Sequence, residues 1–489
     1  MPNGPTNGSA GQLNGAYSRA GIDQLYQFSQ LIADSVKKID ATLTSKGLDF
    51  PTLDTPFTPE SEAARAFPEI RDAAAIIAAA SAQLTATVYP PPMTVMNTAM
   101  LFNVSAALNI AAEAHVAETL RDAGPKGASV KELAKPSGID PAKLSRVLRL
   151  LVTYNIFQEV APDVFAQNRL SSFMDTGKSI EAILADPKGK HDNTMGMAAA
   201  IGHMSDEAMK SLSYLTEAIF DPVSGHANNF RDIAFNRAFK TPLSVWEFFD
   251  TPEQEYRLRR FGMTMEGTKN MSPPLAIVDG MDWAALGDNA LVVDVGGGLG
   301  AQSLTLSKNC SNLRFIVQDR EALMEPAKKF WTTENPEALK SGRALLQVHD
   351  FFGPQTVKDA DVFLMRMIMH DYPDKDCVTI LRHLRAAATP STQLVVVDNI
   401  MAYACPEPAA LEIPGAALSP PPAPLLRNLG EANSTAYLMD VEMMAITGGV
   451  ERTVTQFRDL LAQAGWKVTR VHHGAPFVLS HQKIIAVPA

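Results

Sequence analysis

Cysteine is scarce in this 489-residue chain: Cys310, Cys377 and Cys405 are the only three, with no short repeat spacing between them. So odd and sparse a set argues against a disulfide framework and a thiolate zinc site, and suits a reducing compartment. Basic charge is also lacking. Asp and Glu outnumber Lys and Arg by 53 to 43, a net charge of −10, which offers a nucleic-acid backbone little to hold. No apolar run is long enough to span a bilayer, and the most apolar stretch, residues 73–82, falls well short. The opening MPNGPTNGSAGQLNG has neither a basic region nor an apolar core, so no secretory signal is expected there. These absences predict a cytoplasmic protein with no membrane and no nucleic-acid partner. What is present, 46% hydrophobic and 20% charged residues, is the composition of a folded globular chain. The length predicts two to three domains.

Residues 1–20 are rich in Gly, Asn and Ser and read as a disordered tail. Residues 21–92 read as N-terminal helices. Ile22, Leu25, Phe28, Ile32, Val36 and Ile39 recur at helical spacing, an Ala-rich helix is expected over 62–86, and Pro90-Pro91-Pro92 follows as a breaker. Within 93–176, apolar helical patterns at 97–109 and 111–121 lead into SVKELAKPSGID, PAKLSRVLRLLVTYNIF and the alternating EVAPDVFAQ. Short helices followed by a β-hairpin make a winged-helix pattern. Its candidate recognition helix, Pro141 to Tyr154, carries only Lys143, Arg146 and Arg149, so a dimerisation scaffold is expected rather than a DNA reader. Helical patterns continue through 177–285.

From 286 to 489 the rhythm changes. LVVDVG (291–296), RFIVQD (314–319), ALLQVHD (344–350), DVFLMRM (361–367) and LVVVDN (394–399) are near-continuous apolar strands separated by helices. That alternation predicts an α/β domain with a doubly wound, Rossmann-like sheet. WKVTRVHH and FVLSHQKIIAV read as a closing hairpin. A Pro-rich insertion, 404–430, is long enough to be functional or mobile. The sharpest local signal is Asp294-Val295-Gly296-Gly297-Gly298-Leu299-Gly300, which ends one strand and begins a helix. Glycines there let a ligand approach the backbone. The spacing GGGLG, and a position behind a helical half, lean away from a nicotinamide dinucleotide. Asp319 ends the second strand, where a carboxylate can accept ribose hydroxyls. His349-Asp350-Phe351-Phe352 ends the third, offering an acceptor and an aromatic face for an adenine.

DVGGGLG, VQD, VHDFF, RMIMHDYPDKDC, LVVVDN and GGVERTVTQFRDLLAQAGW occur in that order. Together they resemble the S-adenosylmethionine-dependent O-methyltransferases of the plant caffeic acid and flavonoid type, over roughly residues 93–489. The N-terminal 90 residues and the insertion look like fungal members. The resemblance implies an N-terminal winged-helix dimerisation domain, a homodimer and S-adenosyl-L-methionine as cofactor. It implies that His370 is the general base, with Asp398 and Glu451 as flanking acids. It places the cofactor on Gly296, Gly298, Asp319, Asp350, Phe351 and Arg366, and puts Met443 in the substrate pocket. No metal is implied.

Those residue types suit methyl transfer to a small aromatic hydroxyl. A sulfonium methyl is already electrophilic, so the protein must position an oxygen opposite the sulfur, a contribution of the order of 7–11 kcal/mol. It must also help remove a proton, where a His contributes about 10²–10⁴-fold. A carboxylate such as Glu451 can hold the tautomer, and Asp398 can stabilise the imidazolium. His472 and His473 read as structural, and most of the 21 methionines as core. The alternative reaction class is a non-methylating pericyclase or isomerase on the same fold; a winged-helix regulator is disfavoured by charge.

Overall fold

The structure is a computed structural model describing residues 19–226, 229–270, 273, 275–474 and 482–489. All but the last two residues of the expected N-terminal tail, and part of FVLSHQ, lie outside the described residues.

Two helices open the chain, α1 (Ala20–Lys46) and α2 (Pro68–Val88), and pack Phe28 against Ala79 and Ala80. Methyl side chains on α2 let the two backbones come close. α1 stops where Gly47 takes φ +63 and the Leu48 N–H bonds back to the Leu43 carbonyl. The helix expected over 62–86 is split instead. A tight turn, Glu60–Ala66, ends at an extended Phe67, and α2 starts at Pro68, because a residue before proline avoids the helical region. The three prolines at 90–92 do more than break: they end α2 and also start α3 (Pro91–Ala99). A first-turn proline loses only an N–H that has no partner there.

α4 (Phe102–Glu113), α5 (Val116–Ala123), β1 (Ala128–Ser129), α6 (Val130–Ala134) and α7 (Pro141–Thr153) follow, then β2 (Gln158–Ala161) and β3 (Val164–Ala166). The strands pair in the order β1-β3-β2, the expected wing, over a core that includes Leu120, Leu133, Leu144, Leu148, Leu151 and Phe165. Asp140 caps α7 by accepting the Lys143 N–H at 2.9 Å, with Pro141 in the first turn. Across α3 and the start of α4 an apolar strip is left in solvent: Val95 is 70% exposed, Met96 57% and Phe102 58%.

The C-terminal domain is built on β4 (Ala290–Val295), β5 (Leu313–Asp319), β6 (Ala344–Val348), β7 (Val362–Arg366), β8 (Gln393–Asp398), β11 (Trp466–His472) and β12 (Gln482–Pro488). A two-residue parallel ribbon joins β9 (Ile400–Met401) to β10 (Arg452–Thr453). The seven strands lie in the order β11-β12-β8-β7-β4-β5-β6. β4 to β8 are mutually parallel, and β11 and β12 form the antiparallel hairpin, with β12 antiparallel to β8. Every residue of β4 is buried, as its unbroken apolar run requires of a strand covered on both faces. β4 is followed in the sheet by β5 and β6 on one side and by β7 and β8 on the other. A crevice therefore opens between the carboxyl ends of β4 and β7, where the winding direction reverses. That crevice brings the Gly-rich turn and the His370 loop together.

The Pro-rich insertion is folded onto the N-terminal helices. Leu425 is buried against the α1–α2 pair, and the Gln83 side chain accepts the Leu426 N–H at 2.9 Å. Among the described residues no single helix is long and apolar enough to cross a membrane.

Candidate active site

The turn after β4 is held open by its glycines. Gly296, Gly298 and Gly300 take φ of +68, +60 and +78, values that disfavour a side chain. A Cβ on Gly296 would lie 2.6 Å from Ile368 and 3.3 Å from Phe351, whereas one on Gly298 would meet nothing within 4 Å. The open space over Gly298 adjoins Asp319, whose Oδ2 accepts the Gly298 N–H at 2.8 Å and whose Oδ1 accepts the Arg320 N–H at 2.7 Å. Burial raises the Asp319 pKa and these two bonds oppose the rise. A half-buried carboxylate with lone pairs to spare, beside a bare backbone turn, fits a ribose diol.

The Asp350–Phe351 pair divides its work. Asp350 is exposed and accepts the Phe352 N–H at 3.0 Å, which closes a turn and sets Phe351 against Gly296. Phe351 also belongs to an aromatic group with Phe230, Phe352 and Tyr372. Arg366, at the end of β7, is largely buried within the fields of Asp398 and Asp294. Its Nε finds no hydrogen-bond partner among the described residues. Asp294, buried at the end of β4, accepts the Ser303 hydroxyl at 2.6 Å, and burial pushes its pKa up to about 6.

Across the crevice, His370 sits in the single turn Met369–Asp371. Its Nδ1 lies 2.9 Å from Glu451 Oε1; an ionised carboxylate can only accept, so the ring proton belongs on Nδ1 and Nε2 is left free. Glu451 is fixed in turn by Asn399, which donates to Oε1 at 3.2 Å, and by its own N–H, which donates to Asp440 at 2.9 Å. The next residue, Arg452, is fully buried. Its guanidinium donates to the Met369 carbonyl at 2.6 Å, the Tyr372 carbonyl at 2.9 Å and Asp374 at 2.8 Å, and so clamps the loop that carries His370. Gly449 runs along the same loop so closely that a Cβ there would lie 1.9 Å from the His370 carbonyl oxygen.

Asp371 Oδ1 is 3.5 Å from His370 Nε2. Asp398 is wholly buried, and neither oxygen makes a hydrogen bond among the described residues, so it acts on His370 by charge alone. Burial disfavours an imidazolium, but Asp371, Glu451 and Asp398 together outweigh it and push the His370 pKa up to about 10. Burial also drives Asp371 up to about 6 and Asp398 up to about 7, each against the pull of His370. Met443 is half-buried on the helix Ser434–Ile446, one residue from the buried Glu442.

A family profile described as an O-methyltransferase domain matches residues 212–413, and one described as an O-methyltransferase dimerisation domain matches residues 96–176. An O-methyltransferase of Armillaria gallica is 41% identical over 91% of this chain and 94% of its own. The 4-O-methyltransferase 1 of Phanerochaete chrysosporium is 40% identical over 95% of this chain and 99% of its own. The chain belongs to the O-methyltransferase family.

This O-methyltransferase acts on small molecules and takes its methyl from S-adenosylmethionine. Its fold is shared by the mitomycin 7-O-methyltransferase MmcR, with a TM-score of 0.61 at 23% identity over 83% of this chain and 100% of that one. A pericyclic reaction enzyme shares it too, with a TM-score of 0.64 at 20% identity over 85% of this chain and 94% of that one.

The sequence reading brought His370, Asp398 and Glu451 to one place in this O-methyltransferase, but it missed Asp371, Asn399, Arg452 and Glu442 as neighbours of the imidazole. Asp371 and Arg452 adjoin residues that were singled out, and that adjacency was the available signal. Glu442 gave none beyond being one of two acids, with Asp440, in the mainly apolar segment LMDVEMMAI. His472 and His473 lie apart from the crevice, His473 bonding the Ala416 carbonyl at 2.8 Å.

Proposed function

We propose that the enzyme methylates a hydroxyl of a small aromatic substrate, phenolic or enolic, with His370 as the general base. The observation that carries this reading is the His370–Glu451 contact at 2.9 Å, which fixes the tautomer so that the neutral ring presents Nε2 as its acceptor. Bound S-adenosylmethionine supplies a methyl on a sulfonium, an electrophile needing no further activation. Asp319 and the open turn at Gly298 hold the cofactor, with Gly296 and Phe351 shaping its bed, Arg366 balancing the buried acids and Asp350 setting the Phe351 turn. His370 Nε2 takes the proton from the substrate oxygen. Asp371, Glu451 and Asp398 stabilise the imidazolium that results. A base near 10 matches a phenol, whose pKa is about 10, so the proton transfer is close to balanced. Met443 lines the substrate side. A pericyclic step needs no base locked by a buried carboxylate, so the acid–base set favours methyl transfer over that second reading.

The test is His370→Ala. Cofactor affinity by calorimetry should survive, because the Gly-rich turn and Asp319 are untouched, while turnover on a phenol falls about 10²-fold or more. The loss should shrink above about pH 10, where the phenol ionises unaided. Retention of more than about a third of wild-type turnover at neutral pH would overturn the assignment.

The homodimer belongs to the same proposal, formed through residues 93–176 with the helices of 21–86 adding to the interface. The exposed strip Val95, Met96 and Phe102 supports it, since apolar surface of that kind marks an interface. A monomer by sedimentation at micromolar concentration would count against it.

A further inference from the structure

Behind His370 runs a second polar string that methyl transfer does not use. The helix Met197–His203 passes into a π-turn, Met204–Ala208, a wide turn that inserts a residue into a helix and is often found at functional sites. Arg260 donates to both oxygens of Glu207 at 2.7 Å and to Asp206 at 2.8 Å. Glu207 in turn holds His203 Nδ1 at 3.1 Å. The other ring nitrogen, His203 Nε2, faces Glu442 Oε1 at 3.8 Å, beyond hydrogen-bond reach.

Glu442 is only 9% exposed, and among the described residues nothing donates a hydrogen bond to it. Its helix lies against the base wall, since Asp440 accepts the Glu451 N–H at 2.9 Å, and Glu442 lies within the fields of both His203 and His370. Burial raises its pKa, and those two histidines oppose the rise. Met439, three residues before it, shares its helix face, and Met443 follows Met439 by one turn; Met439 Sδ lies 3.4 Å from Asn399 Nδ2. A nearly buried carboxyl without a donor, set among methionines, is expensive unless something completes it. The Arg260–Glu207–His203 string is a purely structural arrangement up to His203, but it does not reach Glu442.

We propose that Glu442, left without a donor beside His203, accepts a hydrogen bond from a second hydroxyl of the substrate, which makes the enzyme selective for dihydroxylated aromatic rings over their singly hydroxylated counterparts. The methionines grip the ring face, His370 takes the hydroxyl to be methylated and Glu442 takes the other. The proposal rests on His370 being the base, and it adds a specificity-determining residue to that site.

The test uses the full-length enzyme with catechol, resorcinol and hydroquinone, each paired with its monomethyl ether. Binding is read by calorimetry in the presence of S-adenosylhomocysteine, and turnover by kcat/KM. The wild type should prefer at least one diol over its ether by about tenfold, the worth of a hydrogen bond to a charged acceptor. Glu442→Leu should erase that preference through KM while leaving the ether unchanged, and the nearly isosteric Glu442→Gln should reduce it even if the Leu variant folds poorly. Equal losses on diol and ether would show a structural role only and overturn the proposal, as would a wild type with no preference. His370→Ala measured on the same pairs separates the two readings: retained turnover there removes the base but leaves the binding preference, and its dependence on Glu442, to stand or fall alone.

Discussion

The two walls of the crevice are made by different means. The cofactor wall, after β4 and β5, is mostly backbone: three left-handed glycines, amide N–H groups and one carboxylate that bridges the turn. The base wall, after β7 and β8, is mostly side-chain charge: His370 ringed by Asp371, Asp398 and Glu451, with Arg452 bracing the loop from behind. The first wall binds by shape and is tolerant of charge; the second works by charge and is intolerant of displacement. Changes on one wall should therefore leave the other's observable untouched.

The sharpest break in that contrast is Gly449→Ala. Its Cβ would press on the His370 carbonyl and must move the loop. A displacement of about 1 Å at a reacting group costs about 10²-fold, so kcat should fall by that order while cofactor affinity by calorimetry stays within about twofold. On the opposite wall, Asp319→Ala should weaken cofactor binding at least about tenfold, since hydrogen bonds to a charged acceptor are lost, with kcat at saturating cofactor little changed. Unaltered affinity would reject the placement of the ribose.

A smaller effect separates charge from position within the base wall. His370 accepts a proton only when neutral, so activity should climb with pH toward its raised value of about 10. Asp371→Asn removes one of the charges that raise it, and the acid limb of the pH–rate profile should move down by about one unit. A limb that stays or moves up would show that Asp371 does not set the imidazole. The smallest effect concerns Asp398. Its folded pKa of about 7 lies above the unfolded value of 3.8, so folding favours the protonated acid. The resulting penalty is absent below that unfolded value and grows as pH rises to about 7. Asp398→Asn removes it, and thermal melts should show Tm rising by a few degrees at pH 8 and not at pH 4. Equal shifts at both pH values would mean that the carboxyl is not held protonated.

The same contrast explains what could be read from the sequence. The cofactor wall is local: DVGGGLG is one continuous segment, and the apolar runs of β4 to β8 announce strands buried on both faces. The closing hairpin and the wing were legible for the same reason. The base wall is assembled from segments 81 residues apart, His370 and Glu451, and no periodicity predicts that meeting; only the resemblance did. Resemblance names roles but not distances, which is why Asp398 could be named as a charge near the imidazolium without its burial being foreseen, and why Asp371 was passed over. The split before α2 and the fresh start at Pro91 are local again, and proline's restriction on its neighbour accounts for both.

The insertion at 404–430 and the α1–α2 pair come from widely separated parts of the chain, yet Leu425 and Gln83 make them a single packed body. Neither is an independent ornament. Excising the helices would strand Leu425 in water, and trimming the insertion would uncover Phe28, Ala79 and Ala80. A graft of either piece onto another scaffold would have to carry both or neither.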